Sequence, residues 1–380
     1  MIYFDNAATS WPKPDEVYNE VNRVMRICGN PGRGSHRMAI ESGRFILDAR
    51  GELCSLFNIK NPMRLIFTLN TTDSLNIALK GLLKTGDHVI TSGMEHNSMI
   101  RPLMALKNKG IELTIVKCNE KGNIDIDDIK KAVKSNTKLI ALLHASNVIG
   151  TIMPIREIGS IAREMEITFL VDAAQTAGNY PIDVEEDNID ILAFPGHKSL
   201  FGPQGTGGLY VSDKINLHTI KEGGTGSISE SIFQPDIMPD KLESGTPNTP
   251  GIAGLKEGVK FIKKIGIKNI RNHEKKLIKR FLEGVKDIPN VILYGEDNAE
   301  KRVGIVSLNI KDIDAGEVSY ILDKAFDIAT RSGLHCSSLA HQTIGTLRSG
   351  TVRFGFGYFN TENEIDKAIT ALWKIAKETV

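Results

Sequence analysis

Short apolar segments alternate with segments of helical periodicity between about residues 64 and 212, and this alternation restricts the fold more than any other feature. The apolar segments are 64–70, 88–92, 112–117, 138–146, 168–174, 190–194 and 207–211. Several of them are apolar on both faces, which is typical of strands covered by helices on both sides. Helical periodicity lies between most of them, for example at 97–110 and 154–166. The pattern predicts a mostly parallel sheet with right-handed helical crossovers, and therefore an α/β fold.

The pattern changes at ESGTPNTPG (243–251), a stretch rich in Gly, Pro and Thr that predicts a hinge. The helical segments and strands predicted after it are 252–287, 291–295, 303–310, 314–326, 351–357 and 361–378. We predict a large domain of residues 15–250 and a smaller α+β domain made of residues 1–14 and 251–380. The first dozen residues are predicted to be extended and to pack on the small domain.

The charge and the apolar pattern exclude several classes of protein. The net charge is +1 and basic residues are spread along the chain, which indicates no binding surface for nucleic acid or an anionic membrane. No apolar stretch reaches the roughly 18–20 residues of a membrane helix, and the first residues do not resemble a secretory signal. Four widely spaced cysteines without a CxxC pair do not indicate a disulfide framework. These features predict a cytoplasmic protein.

Polar residues stand where several of the predicted strands end. Ligands of open α/β sheets bind there, because the carboxyl ends of parallel strands meet at one edge of the sheet. The residues at these positions are Thr71, Thr72, His96, Asn147, Asp172, Gln175, His197 and Lys198. We predict that they share one rim.

Some of these residues have both a ligand-binding and a structural interpretation. Thr71 and Thr72 open a helical segment, where free N–H groups and a hydroxyl favour a phosphate; a plain N-cap is the alternative. Asp172 ends a very apolar strand, where a lone carboxylate needs a partner such as a protonated pyridine nitrogen; capping of the next turn is the alternative. His96 either stacks on a flat ring or is an ordinary loop or core histidine.

Lys198 follows the apolar segment DILAF and precedes a glycine-rich loop. A lysine in a partly desolvated pocket can lose its proton and form an imine with a carbonyl, and glycines let the backbone approach a ligand closely. A surface lysine in a glycine-rich hairpin is the alternative. A phosphate site, a partner for a ring nitrogen, a stacking residue and an imine-forming amine on one rim together indicate pyridoxal 5'-phosphate.

Two residues in the second half of the chain are also candidates for a chemical role. Cys336, in RSGLHCSS, lies among small and polar residues beside His335 and Arg331, a setting that suits a nucleophilic thiol in a mobile loop. A bystander cysteine is one alternative, and metal binding with His335 and His341 is a weaker one, since the spacing matches no strong zinc pattern. Arg353 is a charged residue in an otherwise apolar strand, so its guanidinium group needs an anionic partner. This partner is either a substrate carboxylate or a carboxylate of the protein in an internal salt bridge.

Motifs along nearly the whole chain resemble those of the class V aminotransferase-like enzymes of fold type I, and among them the cysteine desulfurases and selenocysteine lyases. The motifs, in the family's order, are YFDNAATSWPKP, GRGSH, TTDSLN, EHNSMIRP, HASNVIGT, VDAAQTAGNYPIDV, GHKSLFGPQGTGGLYV, ESGTPNTPGI and RSGLHC. RSGLHC is similar to the RxGHHC form of one desulfurase subgroup, which usually needs a separate sulfur-accepting protein. The resemblance implies a mostly parallel seven-stranded sheet and a homodimer.

The resemblance also implies how each residue binds the cofactor. Lys198 corresponds to the lysine that forms the Schiff base, and His96 to the residue that stacks on the ring and takes part in proton transfer. Asp172 corresponds to the partner of the ring nitrogen and Gln175 to the partner of the ring oxygen. The implied phosphate ligands are Thr72, His197 and, from the neighbouring subunit, Thr246. Thr71 lies next to Thr72 and is also predicted to bind the cofactor.

The substrate residues follow from the same resemblance. Asn147 and Arg353 correspond to ligands of the substrate carboxylate, and His36 and Arg331 are further predicted substrate-binding residues. Cys336 corresponds to the thiol that accepts sulfur. The implied reaction converts L-cysteine to L-alanine and leaves a persulfide on Cys336, as in sulfur supply for iron–sulfur cluster assembly. Selenocysteine lyase and another class V activity, a transaminase or β-lyase, are the alternatives.

The chain departs from the family pattern at two positions. Pro195 stands where a serine often donates to the phosphate, so this donor is missing or is replaced by Ser199 or a water. Leu334 stands where the subgroup has the first histidine of its motif. The loop from Cys336 to Arg353 also departs from the family's usual sequence. The motifs therefore leave open the choice between cysteine and selenocysteine and the identity of the sulfur acceptor.

Overall fold

A computed structural model gives the structure of residues 1–32 and 34–378, so Arg33 of the GRGSH motif and residues 379 and 380 of the predicted small domain lie outside the described residues. The strands are β1 (Ile2–Tyr3), β2 (Leu65–Thr68), β3 (His88–Ser92), β4 (Glu112–Val116), β5 (Thr137–Leu143), β6 (Thr168–Asp172), β7 (Ile191–Pro195), β8 (Gly207–Val211), β9 (Val291–Tyr294), β10 (Ile305–Ile310), β11 (Ile328–Ala329), β12 (Arg331–Gly333) and β13 (Thr351–Gly355).

The helices lie mainly between and after these strands. They are α1 (Asp15–Ile27), α2 (Arg37–Phe57), α3 (Thr71–Leu82), α4 (Asn97–Lys107), α5 (Ile126–Ala132), α6 (Ile155–Glu164), α7 (Thr249–Ile265), α8 (Ile267–Val285), α9 (Ala315–Phe326), α10 (Ser338–Thr343) and α11 (Glu362–Glu378). Within the described ranges, no helix is both long enough and apolar enough to cross a bilayer.

The described residues contain a seven-stranded sheet in the order β2-β8-β7-β6-β5-β3-β4. The ladders from β7 to β4 are parallel, which confirms the predicted mostly parallel sheet. β8 runs antiparallel to both of its neighbours. It can do so because only an eleven-residue loop (196–206), with no crossover helix, joins it to β7.

Helices cover the sheet on both faces, as the apolar strands require. Ile140 and Leu142 of β5 belong to one core cluster, whereas Leu139 and Ala141 belong to another. Successive side chains of a strand point to opposite faces, so this division places a core on each side of the sheet. The carboxyl ends of the parallel strands remain open to ligands.

A second sheet, β12-β13-β10-β9, is antiparallel and packs with α8, α9 and α11. β1 pairs in parallel with β11, and Phe4 packs against Phe354 and Phe356 in the core of this unit. The predicted docking on the second half is therefore confirmed for residues 2–5. The rest of the first dozen residues is not extended as predicted, since a turn follows and Thr9 and Ser10 donate to the His197 carbonyl beside the large sheet. The domain division at 250/251 falls inside α7, whose apolar residues belong to the core of the large sheet, and the division stays a prediction.

Candidate active site

A cavity of about 300 Å³ opens at the carboxyl ends of the parallel strands. Its lining includes every residue that the sequence placed on the rim: Thr71, Thr72, His96, Asn147, Asp172, Gln175, His197 and Lys198. The strand ends and the first turns of α3 and α4 bring these side chains together from distant parts of the sequence. The predicted clustering is confirmed, although it does not by itself assign a role to any residue.

The first turn of α3 presents unpaired donors to this cavity. Asn70, and not a threonine, is the N-cap, because its side chain accepts a hydrogen bond from the Asp73 N–H at 3.0 Å. The alternative in which Thr71 or Thr72 caps the helix is therefore wrong. The hydroxyl of Thr71 is buried without a hydrogen-bond partner among the described residues. An unpartnered donor at a helix N-terminus suits an anion such as a phosphate.

Asp172 is the last residue of β6 and only 3% exposed. One carboxylate oxygen accepts a hydrogen bond from the Ala174 N–H at 2.9 Å, so the capping alternative holds for that oxygen. No described residue donates to the other oxygen. Burial raises the pKa of Asp172 to about 6, while the bond from Ala174 and the charge of Lys198 oppose the rise. A cationic ring nitrogen at this position would favour the ionised carboxylate.

His96 is the N-cap of α4 and lines the same cavity. Its Nδ1 accepts a hydrogen bond from the Ser98 N–H at 3.1 Å, which leaves the proton of the neutral ring on Nε2. Burial, and then repulsion by Lys198 and Arg353, lowers the pKa of His96 to about 4. The ring is therefore neutral near pH 7, flat, and able to donate from Nε2.

Lys198 is half-buried behind the end of β7. Burial, and then repulsion by Arg353, lowers its pKa to about 8, against the opposing charges of Asp172 and Asp5. A large fraction of such an amine is unprotonated slightly above neutral pH, which makes it a nucleophile and a base. The Nδ1 of the adjacent His197 is buried without a partner among the described residues, so it offers a further polar contact to a ligand.

The glycines after Lys198 allow the backbone to pack against protein rather than against a ligand. A Cβ atom added at Gly207 would lie 2.9 Å from Cα of Asn70, and one added at Gly208 would lie 2.2 Å from Cζ of Phe194. These contacts let β8 lie directly against the start of α3 and against β7. The sequence-based explanation, close approach to a ligand, is wrong at these two positions.

The loop that contains Cys336 is anchored to the rim by three hydrogen bonds. The Asn97 N–H, next to His96, donates to the Cys336 carbonyl at 2.8 Å. Asn147 donates from Nδ2 to the His335 carbonyl at 2.8 Å, and its Oδ1 accepts a bond from the Ser337 hydroxyl at 2.7 Å. Cys336 itself is exposed and has a φ of 57°, in the left-handed region that non-glycine residues rarely adopt. The loop thus holds an accessible thiol in a strained backbone beside the cavity.

The metal-binding alternative for this loop finds no support. No group of three or more His, Cys, Asp or Glu residues in the described part of the chain is arranged to hold a metal ion. His335 and His341 lie with ring centroids 5.6 Å apart, but their bonded nitrogens contact Thr351 and Thr346.

Two arginines, Arg353 and Arg331, lie next to this loop and share one carboxylate. Arg353, 3% exposed at its side chain, donates from Nη2 to Asp5 at 3.0 Å and from Nη1 to the Asn147 carbonyl at 2.9 Å. Arg331 is half exposed and donates to both oxygens of Asp5. The internal salt bridge considered for Arg353 is therefore present. Its buried Nε–H still has no partner in the described part of the chain, which leaves one donor for a ligand.

A model of the family described as Aminotransferase class-V matches residues 2–368. The chain belongs to the class V aminotransferase family. A protein of Pyrococcus abyssi named probable cysteine desulfurase is 35% identical over 99% of this chain and 94% of its own length. Cysteine desulfurase IscS of Vibrio campbellii is also 35% identical, over 97% of this chain and 91% of its own length.

A solved structure gives the same result for the fold. The apo structure of cysteine desulfurase from Thermococcus onnurineus NA1 matches this class V chain with a TM-score of 0.91 and 33% identity, covering 99% of this chain and 95% of that one. The resemblance and the fold class predicted from the motifs are confirmed.

Some residues predicted for the site of this class V family member lie elsewhere in the single subunit. Thr246 is exposed and lines a separate cavity of about 570 Å³. His36 is also exposed, where it caps α2 through a bond from the Ala39 N–H. Ser199, suggested as the substitute for the donor missing at Pro195, lines another cavity, whereas Ser98 shares the cavity of Lys198.

Sequence reasoning missed several residues that shape the site. Asn70 directly precedes the TTDSLN motif and Ser98 lies within EHNSMIRP, so their short polar side chains at helix starts were a usable signal. Lys13, whose Nζ donates to the His197 carbonyl at 3.3 Å, gave no such signal. Asp5 gave no local signal either, because its partners Arg331 and Arg353 lie more than 320 residues away in the sequence.

Proposed function

We propose that this protein is a pyridoxal 5'-phosphate-dependent cysteine desulfurase that converts L-cysteine to L-alanine and takes the sulfur on Cys336. One observation contributes most to the proposal. The exposed thiol lies on a loop that is hydrogen-bonded to Asn97 and Asn147, and Asn147 lines the cavity of Lys198. An amine with a lowered pKa thus lines the cavity, and an accessible thiol lies on a loop that is bonded to the rim of that cavity. The full-length relatives named cysteine desulfurase support the same activity.

The residues of the cavity fit the cofactor. The unpartnered Thr71 hydroxyl and His197 Nδ1 suit a phosphate, together with Thr72 and the free N–H groups of α3. We assign Asp172 to the ring nitrogen, Gln175 to the ring oxygen, His96 to the ring face and Lys198 to the covalent link. When bound, the cofactor supplies the electron sink that makes the substrate Cα–H acidic and the Cβ–S bond labile.

The protein side chains then perform binding, proton transfer and sulfur capture. We assign the substrate carboxylate to Arg353 and Asn147, with Arg331 and His36 as further ligands. The Lys198 amine removes the proton from Cα. The Cys336 thiolate attacks the substrate sulfur, so that a sulfur–sulfur bond forms as the Cβ–S bond breaks. The electron pair of the broken bond stays on the substrate, which is protonated and leaves as alanine.

The alternatives differ in their products. A selenocysteine lyase would turn over L-selenocysteine in preference to L-cysteine, and a transaminase or β-lyase would leave Cys336 without a role. The test is to supply L-cysteine, L-selenocysteine and cysteine sulfinate side by side and to measure alanine, pyruvate and the released sulfur or selenium. The proposal expects alanine from L-cysteine in a reaction that needs a sulfur acceptor, which we expect to be a separate protein. A cytoplasmic location stays a prediction.

Cofactor uptake is expected to depend on pH through Lys198. The amine must be unprotonated to attack the cofactor aldehyde, and its pKa is lowered from 10.5 to about 8. The rate of uptake by the apo-protein should therefore rise as the pH passes through about 8 and then level off. Because Arg353 contributes to the lowering, Arg353→Gln should move the rise to higher pH. Stopped-flow absorbance measures this, and a wild-type rate that still rises near pH 10.5 would contradict the account.

We further propose a homodimer in which Thr246 reaches the phosphate bound by the other subunit. Thr246 is exposed and lines a cavity separate from the one that Lys198 lines in the same subunit, and this position supports the proposal. Thr246→Ala should weaken cofactor affinity about tenfold, the effect of losing one hydrogen bond to a charged group. Titration of the apo-protein measures the affinity and light scattering the mass. A monomer that retains wild-type cofactor affinity would exclude the shared site.

A further inference from the structure

The register of the small sheet places two arginines directly opposite each other. Arg331 of β12 is the cross-strand partner of Arg353 of β13. Like charges in this position repel and destabilise a sheet unless a counter-charge lies between them. Arg353 is almost completely buried and Arg331 is half exposed, so water screens the pair only in part.

Asp5 supplies the counter-charge. Its Oδ1 lies 3.0 Å from Nη2 of Arg353, and its Oδ2 lies 2.8 Å from Nη2 of Arg331. The side chain is 14% exposed, and a backbone bridge to Gly355, at the end of β13, fixes its position. The three side chains together have a charge of +1, which equals the charge needed to pair one carboxylate.

The charges of this trio reach the reacting groups. Besides burial, the charges of Arg353, Asp5 and Arg331 all influence the pKa of Lys198. The pKa of Arg331 is raised first by its hydrogen bond to Asp5, and Cys336 contributes weakly to the same rise. The charges of the three side chains therefore act on the Lys198 amine, and Arg331 also interacts with the thiol of Cys336.

We propose that Asp5 is a specificity-determining residue, which sets the charge of the Arg331–Arg353 pair so that the site accepts an amino acid with one acidic group and disfavours one with two. The inference rests on the proposed function. L-cysteine has one carboxylate and a neutral thiol near pH 7, whereas cysteine sulfinate has a second anionic group on the sulfur. With Asp5 removed, the pair would have a charge of +2 and would suit the second substrate better.

Cysteine sulfinate is a useful probe because its turnover needs no thiol acceptor. Its Cβ–S bond breaks with the electron pair left on Cβ, which is protonated to give alanine. The sulfur leaves as sulfur dioxide, which water converts to sulfite. Neither an oxidant nor a reductant is required, so the ratio of kcat/KM for the two substrates reports on the charge of the site.

The test compares Asp5→Asn, Arg331→Gln, the double variant and Asp5→Glu. Counting charges, the trio has +2 in Asp5→Asn, 0 in Arg331→Gln and +1 in the other two. The ratio of cysteine sulfinate to cysteine kcat/KM is expected to rise about tenfold in Asp5→Asn, the order that one unit charge a few ångströms away produces in a partly screened site. It should fall in Arg331→Gln and return to near the wild-type value in the double variant and in Asp5→Glu. The change should lie mainly in KM.

A purely structural role of Asp5 would reduce both activities without changing the ratio, and this result would overturn the inference. A double variant with a ratio as high as that of Asp5→Asn would also overturn it, because the charges would not combine. If Asp5→Asn does not fold, Arg331→Gln alone tests the inference: a fall in the ratio of cysteine sulfinate to cysteine kcat/KM supports it, and an unchanged ratio overturns it.

A binding measurement separates this inference from the proposed function. Propionate and succinate, with one and two carboxylates, are titrated into the wild-type protein and the Asp5→Asn variant without any turnover. The inference expects succinate to gain affinity relative to propionate in the variant, and an unchanged ratio rejects it. Absence of alanine from L-cysteine in the wild-type protein rejects the proposed function and leaves this binding result interpretable.

Discussion

Replacement of Lys198 by alanine is expected to abolish alanine formation from L-cysteine. Lys198 is the only lysine that lines the cavity within the described ranges, so no other amine is placed to bind the cofactor covalently or to remove the Cα proton. Loss of a positioned acid–base group alone costs about 10²–10⁴-fold, and loss of the covalent link adds to this. Alanine formation measures the loss, and the yellow absorbance of the lysine-bound cofactor should disappear with it.

Lys13→Ala is the matched control for this variant. The amine of Lys13 also lies close to the cavity, but it donates to Ser10 and to the His197 carbonyl, and Lys13 does not line the cavity. After borohydride reduction, the control should still contain cofactor attached to the peptide with Lys198. A reduced linkage in Lys198→Ala together with wild-type activity would show that another lysine binds the cofactor.

Replacement of Cys336 by alanine is expected to separate sulfur transfer from cofactor binding. The thiol is exposed on the loop held by Asn97 and Asn147, whereas the cofactor residues lie on the strand ends and helix starts. The variant should keep cofactor absorbance but lose about 10²–10⁴-fold of its L-cysteine activity, because no nucleophile accepts the sulfur. Selenocysteine turnover should fall less, because selenium is the better leaving group. Alanine is measured from both substrates.

Cys28→Ala provides the control for general effects of cysteine removal, because Cys28 is a free, half-buried cysteine outside the cavity lining. It should retain the activity of the wild-type protein with both substrates. Equal L-cysteine activity in Cys336→Ala and in the wild-type protein would contradict persulfide formation and would favour a β-lyase or another class V activity.

The large sheet was predictable because its strands are buried on both faces. β3 and β8 were predicted to the residue, and the predicted ends of β6 and β7 differ from the structure by two residues or fewer. Continuous apolar runs of this length leave little freedom in the choice of strand. The helices α1 and α2 were not predicted. They precede the strand–helix alternation that starts near residue 64, and they pack mainly on the distant helix α7.

The site was predictable where a residue lies next to a strand end and unpredictable where its partner is distant. Asp172, His96 and Lys198 follow strands, so topology alone brings them together. The pairing of Asp5 with two arginines depends on the docking of the first residues beside β13, which no local pattern indicates. Asn147 was assigned to substrate, but its amide also holds the Cys336 loop, a contact that depends on how the segment after β5 meets the distant segment after β12.

The most direct test of the account is a single-turnover reaction of the cofactor-loaded protein with less L-cysteine than active sites. Alanine is quantified, and the peptide with Cys336 is analysed by mass spectrometry without reductant. The account predicts one alanine for each cysteine consumed and the mass of one additional sulfur atom on Cys336. Pyruvate and free sulfide with an unmodified Cys336 peptide would contradict it.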